Sequence, residues 1–488
     1  MASSPIDLTK TNASKGTTAQ IGTLISVFFF WGFVAASNDI LIPVLKEQLH
    51  LEQWQAQLVS FAFYIAYTVG SLAYYIISKA MKKDILNSLG YKNGIALGLL
   101  ISAVGTLLFI PAADTASFLL MITGLFIVGL GFSLQQTAAN PLAINLGDPN
   151  KGAQRLSLAG GINNIGTTIG PVLLSLAIFG NVVNTTAVAD LSAVKLPYLL
   201  LGAAFLIVAA IFKFSSIPNH LTHVEEAVSE SKSERSGALA YPQLWLGMIA
   251  IFLYVGVEVA TGSNLAEYLK QSLQIPTNQV APYVSLFWAS LMIGRWSSAV
   301  DAMNLSAMAK RVLGIIIPYL AFGLFLFVNQ LTGHDITPFY YYAGIIIILI
   351  GANLLSKGNP AKQLVIYSAF GIAALVIGMT TNGLLSAYAF ISVGLFCSTL
   401  WPCIFTLAIK GLGKHTNEGS GFLVMMIMGG GFISMLQGWL AKDALLGIRY
   451  SYLTGVLCFA YLAFYGWKAA GLLKQQGLTY EDKSSSGH

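Results

Sequence analysis

The chain has few charged residues: Asp, Glu, Lys and Arg make up 9% of its 488 residues, whereas hydrophobic residues make up 56%. A typical soluble domain carries about 25% charged residues. Apolar runs of about 20 residues, long enough to cross a bilayer, recur from one end of the chain to the other. This composition excludes a soluble protein and predicts an all-α polytopic membrane protein whose surroundings are the lipid bilayer.

Cysteine and histidine are scarce, and their positions exclude several kinds of site. The three cysteines (Cys397, Cys403 and Cys458) fall in apolar runs, and an odd number in helices argues against a disulfide framework. All six histidines lie outside the predicted spans, so neither a haem nor a histidine metal site is expected in the membrane. The chain also lacks an HExxH motif and a paired Asp motif. We therefore expect no enzyme, no cofactor and no dedicated metal site.

Two further motifs are missing. The first residues are polar, without an apolar core or a small-residue cleavage site, so no signal peptide is expected. The fragment nearest to a phosphate-binding loop, GLGKHT, has His415 where Ser or Thr is required. The net charge of +6 does not indicate nucleic acid, because in a membrane protein the position of the charges matters more than their sum. Transport driven by ATP and a nucleic-acid partner are both disfavoured.

Fourteen spans are predicted, six before a polar linker and eight after it. Their approximate bounds are 20–44, 56–78, 92–111, 115–146, 154–180, 196–216, 243–270, 278–302, 311–330, 338–356, 363–381, 384–410, 419–440 and 450–472. The domains follow from these bounds: a tail (1–19), a first bundle of six helices (20–216), a linker (217–241), a second bundle (242–475) containing an extra hairpin (311–356), and a tail (476–488).

Basic residues orient these spans. Of the 26 Lys and Arg residues, twenty fall in the tails, the linker and the other loops on that side, five fall on the opposite side, and Arg295 lies inside a span. The positive-inside rule therefore predicts that both termini and the linker are cytoplasmic. Two bundles joined by a cytoplasmic tether are typical of a transporter that rocks about a midplane site. A polar loop that merely separates two halves of a pore or of a membrane enzyme is the plainer interpretation.

Amide side chains are concentrated in residues 131–166, where a helix facing lipid should have none. These are Gln135, Gln136, Asn140, Asn145, Asn163 and Asn164. An unpaired carboxamide in hydrocarbon costs several kcal/mol, so these groups must face protein or a wet cavity. Amides offer both donors and acceptors to sugar hydroxyls, and Tyr254, Trp288 and Trp401 could supply flat faces to a sugar ring. Most single aromatics in such a chain are nevertheless packing residues or interface anchors.

Two acids within predicted spans are the strongest candidates for binding a cation. Asp39 lies in the first span and Glu258 near the middle of the seventh, and intramembrane carboxylates usually face a cavity, a partner or a transported ion. Asp39 could instead be a carboxylate at the outer end of its helix. Glu258 has no basic residue within one helical turn, so it is protonated, paired with another helix or bound to a cation. Arg295 is expected to pair with Asp301.

Six stretches of the chain carry a resemblance to a known family. They are SNDILIP (37–43), QTAANP (136–141), RLSLAGGINNIG (155–166), YVGVEVATGS (254–263), IGRW (293–296) and WPCIFTLAIKGLGKHTNEGSGFLVMMIMGGG (401–431). With them the chain resembles the fucose–galactose–glucose:proton symporter family of the major facilitator superfamily. The resemblance implies a major facilitator fold of two six-helix bundles. The inserted hairpin brings the total to about 14 transmembrane helices.

The resemblance also implies roles for particular residues. Asp39 matches an aspartate implicated in proton coupling in the fucose branch, and Asn163 resembles a sugar-binding asparagine. At the place of that branch's second acid stands Gln136, which cannot titrate, so the chain looks more like the glucose/galactose branch, in which Glu258 would serve. The predicted ligands of the sugar are Asn38, Gln136, Asn140, Asn163, Asn164, Tyr254, Asn264 and Trp401. Asp39 and Glu258 are predicted to couple transport to a proton or to sodium.

The predicted function is import of a neutral hexose of the glucose, galactose or fucose class by cation-coupled symport with alternating access. The predicted location is a plasma membrane of the bacterial inner-membrane type, and the predicted state is a monomer. The alternative is a major facilitator-type exporter or uniporter of another small polar metabolite. A drug exporter would favour a more apolar cavity, and a channel would lack the plan of two bundles and a linker.

Overall fold

The computed structural model of the protein describes residues 20–35, 49, 53–146, 152–179, 191–219, 237–275, 277–300, 305–331, 335–442 and 444–478. Within these ranges the secondary structure is helical and contains no strand. Eleven helices in the described ranges are long and apolar enough to span a membrane. Three further predicted spans correspond to the helices α1, α7 and α10 defined below. The all-α fold class is confirmed.

The described residues of the first half form eight helices. They are α1 (Gln20–Ala35), α2 (Gln53–Ala80), α3 (Ile85–Leu89), α4 (Tyr91–Leu107), α5 (Phe109–Asp114), α6 (Phe118–Asn145), α7 (Gly152–Phe179) and α8 (Lys195–Phe214). Helix α6 packs against both α2 and α4, and α4 packs against α8. The side of the bundle on which α8 ends is called the linker side below, because the linker follows it.

The second half contains the remaining helices. They are α9 (Pro242–Leu273), α10 (Thr277–Ala299), α11 (Ala307–Leu331), α12 (Tyr342–Ser356), α13 (Pro360–Thr380), α14 (Gly383–Cys397), α15 (Leu400–Ile409), α16 (Thr416–Met425), α17 (Gly429–Leu440), α18 (Gly447–Tyr450) and α19 (Leu453–Gln475). Local chemistry sets several of these starts. Before α13, for example, the side chain of Asn359 accepts from the N–H groups of Ala361 and Lys362, and Pro360 occupies the first helical position.

Two predicted spans are broken in the structure. The span predicted at 384–410 divides into α14 and α15, and the one at 419–440 divides into α16 and α17, joined by a short 3-10 helix at Met426–Met428. At the first break Pro402 has no N–H, so the carbonyl of Ser398 four residues earlier receives no helical hydrogen bond from it. Hydropathy alone does not reveal such breaks, because both pieces of each span are apolar.

The inserted hairpin consists of α11 and α12, and it begins at Ala307 rather than at the predicted residue 311. Helix α11 lies along α10. Tyr342 is fully buried, and its hydroxyl lies 2.7 Å from the Ser290 hydroxyl of α10. The ring of Phe339 packs edge-on against Tyr283, also of α10. The hairpin therefore covers one side of α10 and is fixed to the second half.

The two halves contact each other from the middle of the bundle to the linker side. The hydroxyl of Tyr91 donates to Asn417 Oδ1 at 2.6 Å, and Asn417 Nδ2 donates to Asn87 Oδ1 at 2.8 Å. The hydroxyl of Ser420 donates to the carbonyl of Thr137 at 3.0 Å. Nearer the middle of the bundle, the hydroxyl of Thr68 donates to the carbonyl of Met425 at 3.1 Å. The bundle is closed on the linker side.

Candidate functional site

The guanidinium of Arg295 lies at the centre of the site, where α10 meets α7 of the first half. It donates to first-half acceptors, the carbonyl of Gly160 at 3.4 Å and Asn164 Oδ1 at 2.9 Å. Within the second half it donates to the carbonyl of Ser398 at 3.0 Å and to the hydroxyl of Tyr254 at 3.4 Å. One side chain thus links α9, α10 and the residue that ends α14 to the first half.

Glu258 supplies the negative charge that balances Arg295. Its Oε1 lies 3.5 Å from Arg295 Nη2, and the exposed fractions of the two side chains are 13% and 12%. Of the three states that the sequence left open for Glu258, the structure shows pairing with another helix. The expected pairing of Arg295 with Asp301 lies outside the described residues. Removing one partner from so buried a pair leaves an uncompensated charge, which is costly.

Two glycines allow α7 and α10 to approach closely enough for these bonds. A Cβ on Gly160 would lie 3.2 Å from Cδ of Arg295, and a Cβ on Gly161 would lie 2.6 Å from Cδ1 of Trp296. The Trp296 indole donates to the carbonyl of Gly161 at 3.2 Å. Small residues at helix contacts in membranes permit this backbone approach. The pair of glycines in the stretch RLSLAGGINNIG therefore creates the contact between the halves.

Two of the predicted amides, Gln136 and Asn163, keep part of their surface exposed. Gln136 on α6 donates from Nε2 to the hydroxyl of Tyr67 on α2 at 3.2 Å. Asn163 on α7 donates from Nδ2 to the carbonyl of Phe28 on α1 at 2.9 Å. Each bond orients an amide on a helix of the first half. Tyr67, which sequence reasoning did not single out, holds Gln136 in this orientation.

Gln135, the neighbour of Gln136, has a different environment. It is fully buried, accepts from the Trp31 indole of α1 at 2.9 Å, and donates to Ser102 Oγ of α4 at 3.0 Å. Successive residues of a helix point about 100° apart, so one amide can join three helices while the next is exposed. Gln135 is a buried packing residue.

Other predicted ligands are more buried than expected. Asn140, Asn164 and Tyr254 are exposed by only 1%, 3% and 1%. Asn140 lies one turn nearer the linker side than Gln136, where the first half meets Ser420, and closure there buries it. Asn164 and Tyr254 contact Arg295. In the conformation described here these three side chains are buried, and their role as sugar ligands stays a prediction.

The remaining predicted residues divide between described and undescribed parts of the chain. Asn264 is partly exposed and donates to the carbonyl of Ala260 at 2.9 Å, one turn back along its own helix. Trp401 is partly exposed, with its ring centroid 6.2 Å from that of Tyr254. Asn38 and Asp39 lie outside the described residues, as does the side chain of Asn145.

Sequence reasoning placed Arg295 inside a span but missed its central position. Two features of the sequence could have indicated it. An arginine in an apolar run needs a partner for its guanidinium, and the proline at 402 leaves the carbonyl of Ser398 without a helical hydrogen bond. The described residues contain no group of three or more His, Cys, Asp or Glu side chains that could hold a metal ion.

Comparisons with known proteins identify the fold and the class of protein. A family model described as Major Facilitator Superfamily matches residues 21–356. A glucose/galactose transporter of Brucella abortus (strain 9-941) is 33% identical over 460 residues, covering 94% of this chain and 96% of that protein. The L-fucose-proton symporter of Escherichia coli K12 is 29% identical over 459 residues, covering 90% of each chain.

Comparison with solved structures gives the same fold. The crystal structure of the major facilitator transporter FucP in the outward conformation has a TM-score of 0.69 and 25% identity, covering 93% of this chain and 99% of that one. The human organic anion transporter MFSD10 has a TM-score of 0.59 at 13% identity, with the same coverage, and shows the fold alone. The family resemblance and the fold are confirmed, and the relatives are transporters rather than enzymes. The chain belongs to the major facilitator superfamily of membrane transporters.

Proposed function

We propose that this transporter imports a neutral hexose together with a proton, by alternating access. The observation that carries the proposal is the presence of two partly exposed amides, Gln136 and Asn163, on the first half, together with an ion pair of the second half, Glu258–Arg295, whose arginine also bonds to Asn164 of the first half. The names of the relatives support a sugar as the substrate. We further propose that the protein resides in a bacterial-type inner membrane as a monomer.

The substrate side of the proposal rests on hydrogen-bonding capacity. Gln136 and Asn163 each use one N–H group on a protein partner, and a carboxamide retains further capacity to donate and accept. A neutral sugar presents hydroxyls that do both. Trp401 and Asn264 are the predicted ligands on the second half that are partly exposed. A substrate without hydroxyls would leave these polar groups unpaired and would be rejected for that reason.

The coupling side rests on Glu258. Proton binding would neutralise its carboxylate and weaken its attraction for Arg295, whose guanidinium also holds Gly160 and Asn164 of the first half. A change of charge on Glu258 is thereby transmitted to the contact between the halves. Coupling requires the cation to bind the two conformations with different affinity, and these cross-half bonds provide such a difference. Asp39 is the second proposed coupling residue, whereas Gln136 cannot titrate.

The direction of closure supports alternating access. The halves are joined on the linker side, which the distribution of basic residues predicts to be cytoplasmic. If that orientation holds, alternating access assigns this conformation to the half of the cycle in which the site is closed to the cytoplasm. Rocking of the halves would break the linker-side bonds and open the site to the cytoplasm.

Uptake of radiolabelled glucose, galactose and fucose into proteoliposomes tests the proposal, with an imposed proton gradient in one arm and a sodium gradient in the other. Accumulation driven by the proton gradient is expected. Accumulation driven only by sodium would overturn proton coupling while preserving the symport. Failure of every hexose in both arms would overturn hexose import and favour an exporter or uniporter of another small polar metabolite.

Substitutions of Glu258 and Asp39 test the proposed coupling directly. Glu258→Gln and Asp39→Asn should each abolish gradient-driven accumulation while leaving some exchange of sugar across the membrane, because exchange requires no net proton movement. Asp335→Asn is the matched control, since Asp335 is an exposed carboxylate in the hairpin loop. Unaltered accumulation by a variant would exclude its residue from coupling.

A further inference from the structure

The exposure of α10 singles out one aromatic side chain. From Pro282 to Ala299 only Ser285 and Trp288 are exposed, and Val284, Arg295 and Trp296 are partly so. The hairpin helix α11 covers another side of this helix. Trp288 precedes Arg295 by seven residues, two helical turns, and therefore lies on the same face. Since Arg295 contacts the first half, the exposed surface of Trp288 faces the space between the halves.

A glycine on the neighbouring helix makes room for this indole. A Cβ on Gly262 of α9 would lie 3.2 Å from Cζ2 of Trp288 and 2.8 Å from Cε1 of Phe287. Gly262 is one turn beyond Glu258, so the indole reaches across to α9 just outside the ion pair. Phe287 is fully buried and meets Trp288 edge-on, with ring centroids 5.3 Å apart. The indole is therefore supported from behind, while 37% of the residue's surface stays exposed.

We propose that Trp288 is the platform on which the apolar C–H face of the sugar ring stacks, on the side of Arg295 away from the linker. This inference rests on the proposed hexose transport and adds a specific contact to it. Tryptophan presents a large, flat apolar surface, which suits the face of a pyranose, whereas amides suit its hydroxyl edges. Gln136 and Asn163 hold those edges from the first half. The sugar is thus bound between an amide wall on one half and an aromatic wall on the other.

Substitutions at Trp288 separate stacking from packing. Trp288→Leu keeps an apolar side chain but removes the flat ring, and Trp288→Phe keeps a ring. We expect the apparent KM for sugar in counterflow exchange to rise about tenfold in the leucine variant, equivalent to about 1.4 kcal/mol. We expect the phenylalanine variant to restore most of the affinity. A residue that only fills space would show equal values of KM for the two variants.

A second variant leaves the tryptophan in place. Gly262→Ala introduces a Cβ that meets Phe287 and Trp288, so it should displace the indole and raise KM as well. Trp467→Leu is the control, because Trp467 is 69% exposed on α19 of the same half. It should leave KM unchanged.

Fluorescence gives a readout that does not need transport. Sugar added to the purified protein should quench its tryptophan emission, and Trp288→Phe should lose most of that quenching while Trp467→Phe retains it. If the unaltered protein transports hexose but Trp288→Leu keeps its KM, or Trp288→Phe keeps its quenching, the stacking role is wrong. If the unaltered protein transports no hexose, the proposed function fails instead.

Discussion

The hydroxyl of Ser420, in the second half, donates to the backbone carbonyl of Thr137, in the first half, at 3.0 Å. Residue 141 is a proline, which cannot return the helical hydrogen bond to Thr137. The second half has the same arrangement. Pro402 cannot donate to the carbonyl of Ser398, which accepts from Arg295 instead. In both α6 and α15 a proline therefore makes a backbone acceptor available to a side chain from another helix.

Loss of the Ser420 bond should destabilise closure on the linker side. Ser420→Ala removes one hydrogen bond of about 0.5–1.5 kcal/mol, enough to shift the balance between conformations several-fold. Labelling of a cysteine introduced at Asn140 by a membrane-impermeant thiol reagent measures the shift, with little background from the three buried native cysteines. The labelling rate should rise. Ser451→Ala is the control, since its hydroxyl bonds within its own half; an equal rise there would contradict the assignment.

Substitution by leucine should affect stability at Gln135 and sugar affinity at its neighbour Gln136. Gln135→Leu leaves the Trp31 indole without its acceptor and should lower the free energy of unfolding by about 1–3 kcal/mol. Gln136→Leu should change stability little and raise KM for sugar. Thermal unfolding in detergent and counterflow exchange on both variants check this. Equal loss of stability in both would show that the two amides share one role.

The Glu258–Arg295 pair should show strong coupling in a double-mutant cycle. Glu258→Gln leaves a buried guanidinium without its counter-charge and should cost about 3–5 kcal/mol of stability. Arg295→Met in the same chain should recover part of that loss, because it removes the unpaired charge. Chemical unfolding of the two single variants and the double variant gives the interaction energy. Simple additivity of the two losses would mean that the pair contributes nothing as a pair.

Tyr342 should help to hold the hairpin against α10, and its substitution should leave transport unaffected. Tyr342→Phe removes the hydrogen bond to Ser290 and should lower stability by about 0.5–1.5 kcal/mol, with KM unchanged. Tyr341→Phe serves as the control, because Tyr341 is 76% exposed. A large change in KM for Tyr342→Phe would show that the hairpin influences the sugar site through α10.

Hydropathy and charge predicted the helices well, because a span long enough for the bilayer is a local property of the sequence. The inserted hairpin was predicted within a few residues of Ala307 for the same reason. The sequence did not predict that Glu258 is a partner of Arg295. The nearest acid along the chain is Asp301, whereas folding brings α9, and therefore Glu258, next to Arg295. The different roles of Gln135 and Gln136 were also not predicted, since apolar residues are spread evenly around α6 and do not show which face is covered.

Two of the acceptors that hold Arg295 are main-chain carbonyls, those of Ser398 and Gly160. Alanine scanning cannot delete a carbonyl, so it will underestimate this part of the site. For the same reason, the side chain that related transporters carry at position 398 does not reveal whether this acceptor is available. The residue to compare among them lies four positions later, at Pro402, because only an imino acid there guarantees that the oxygen is available.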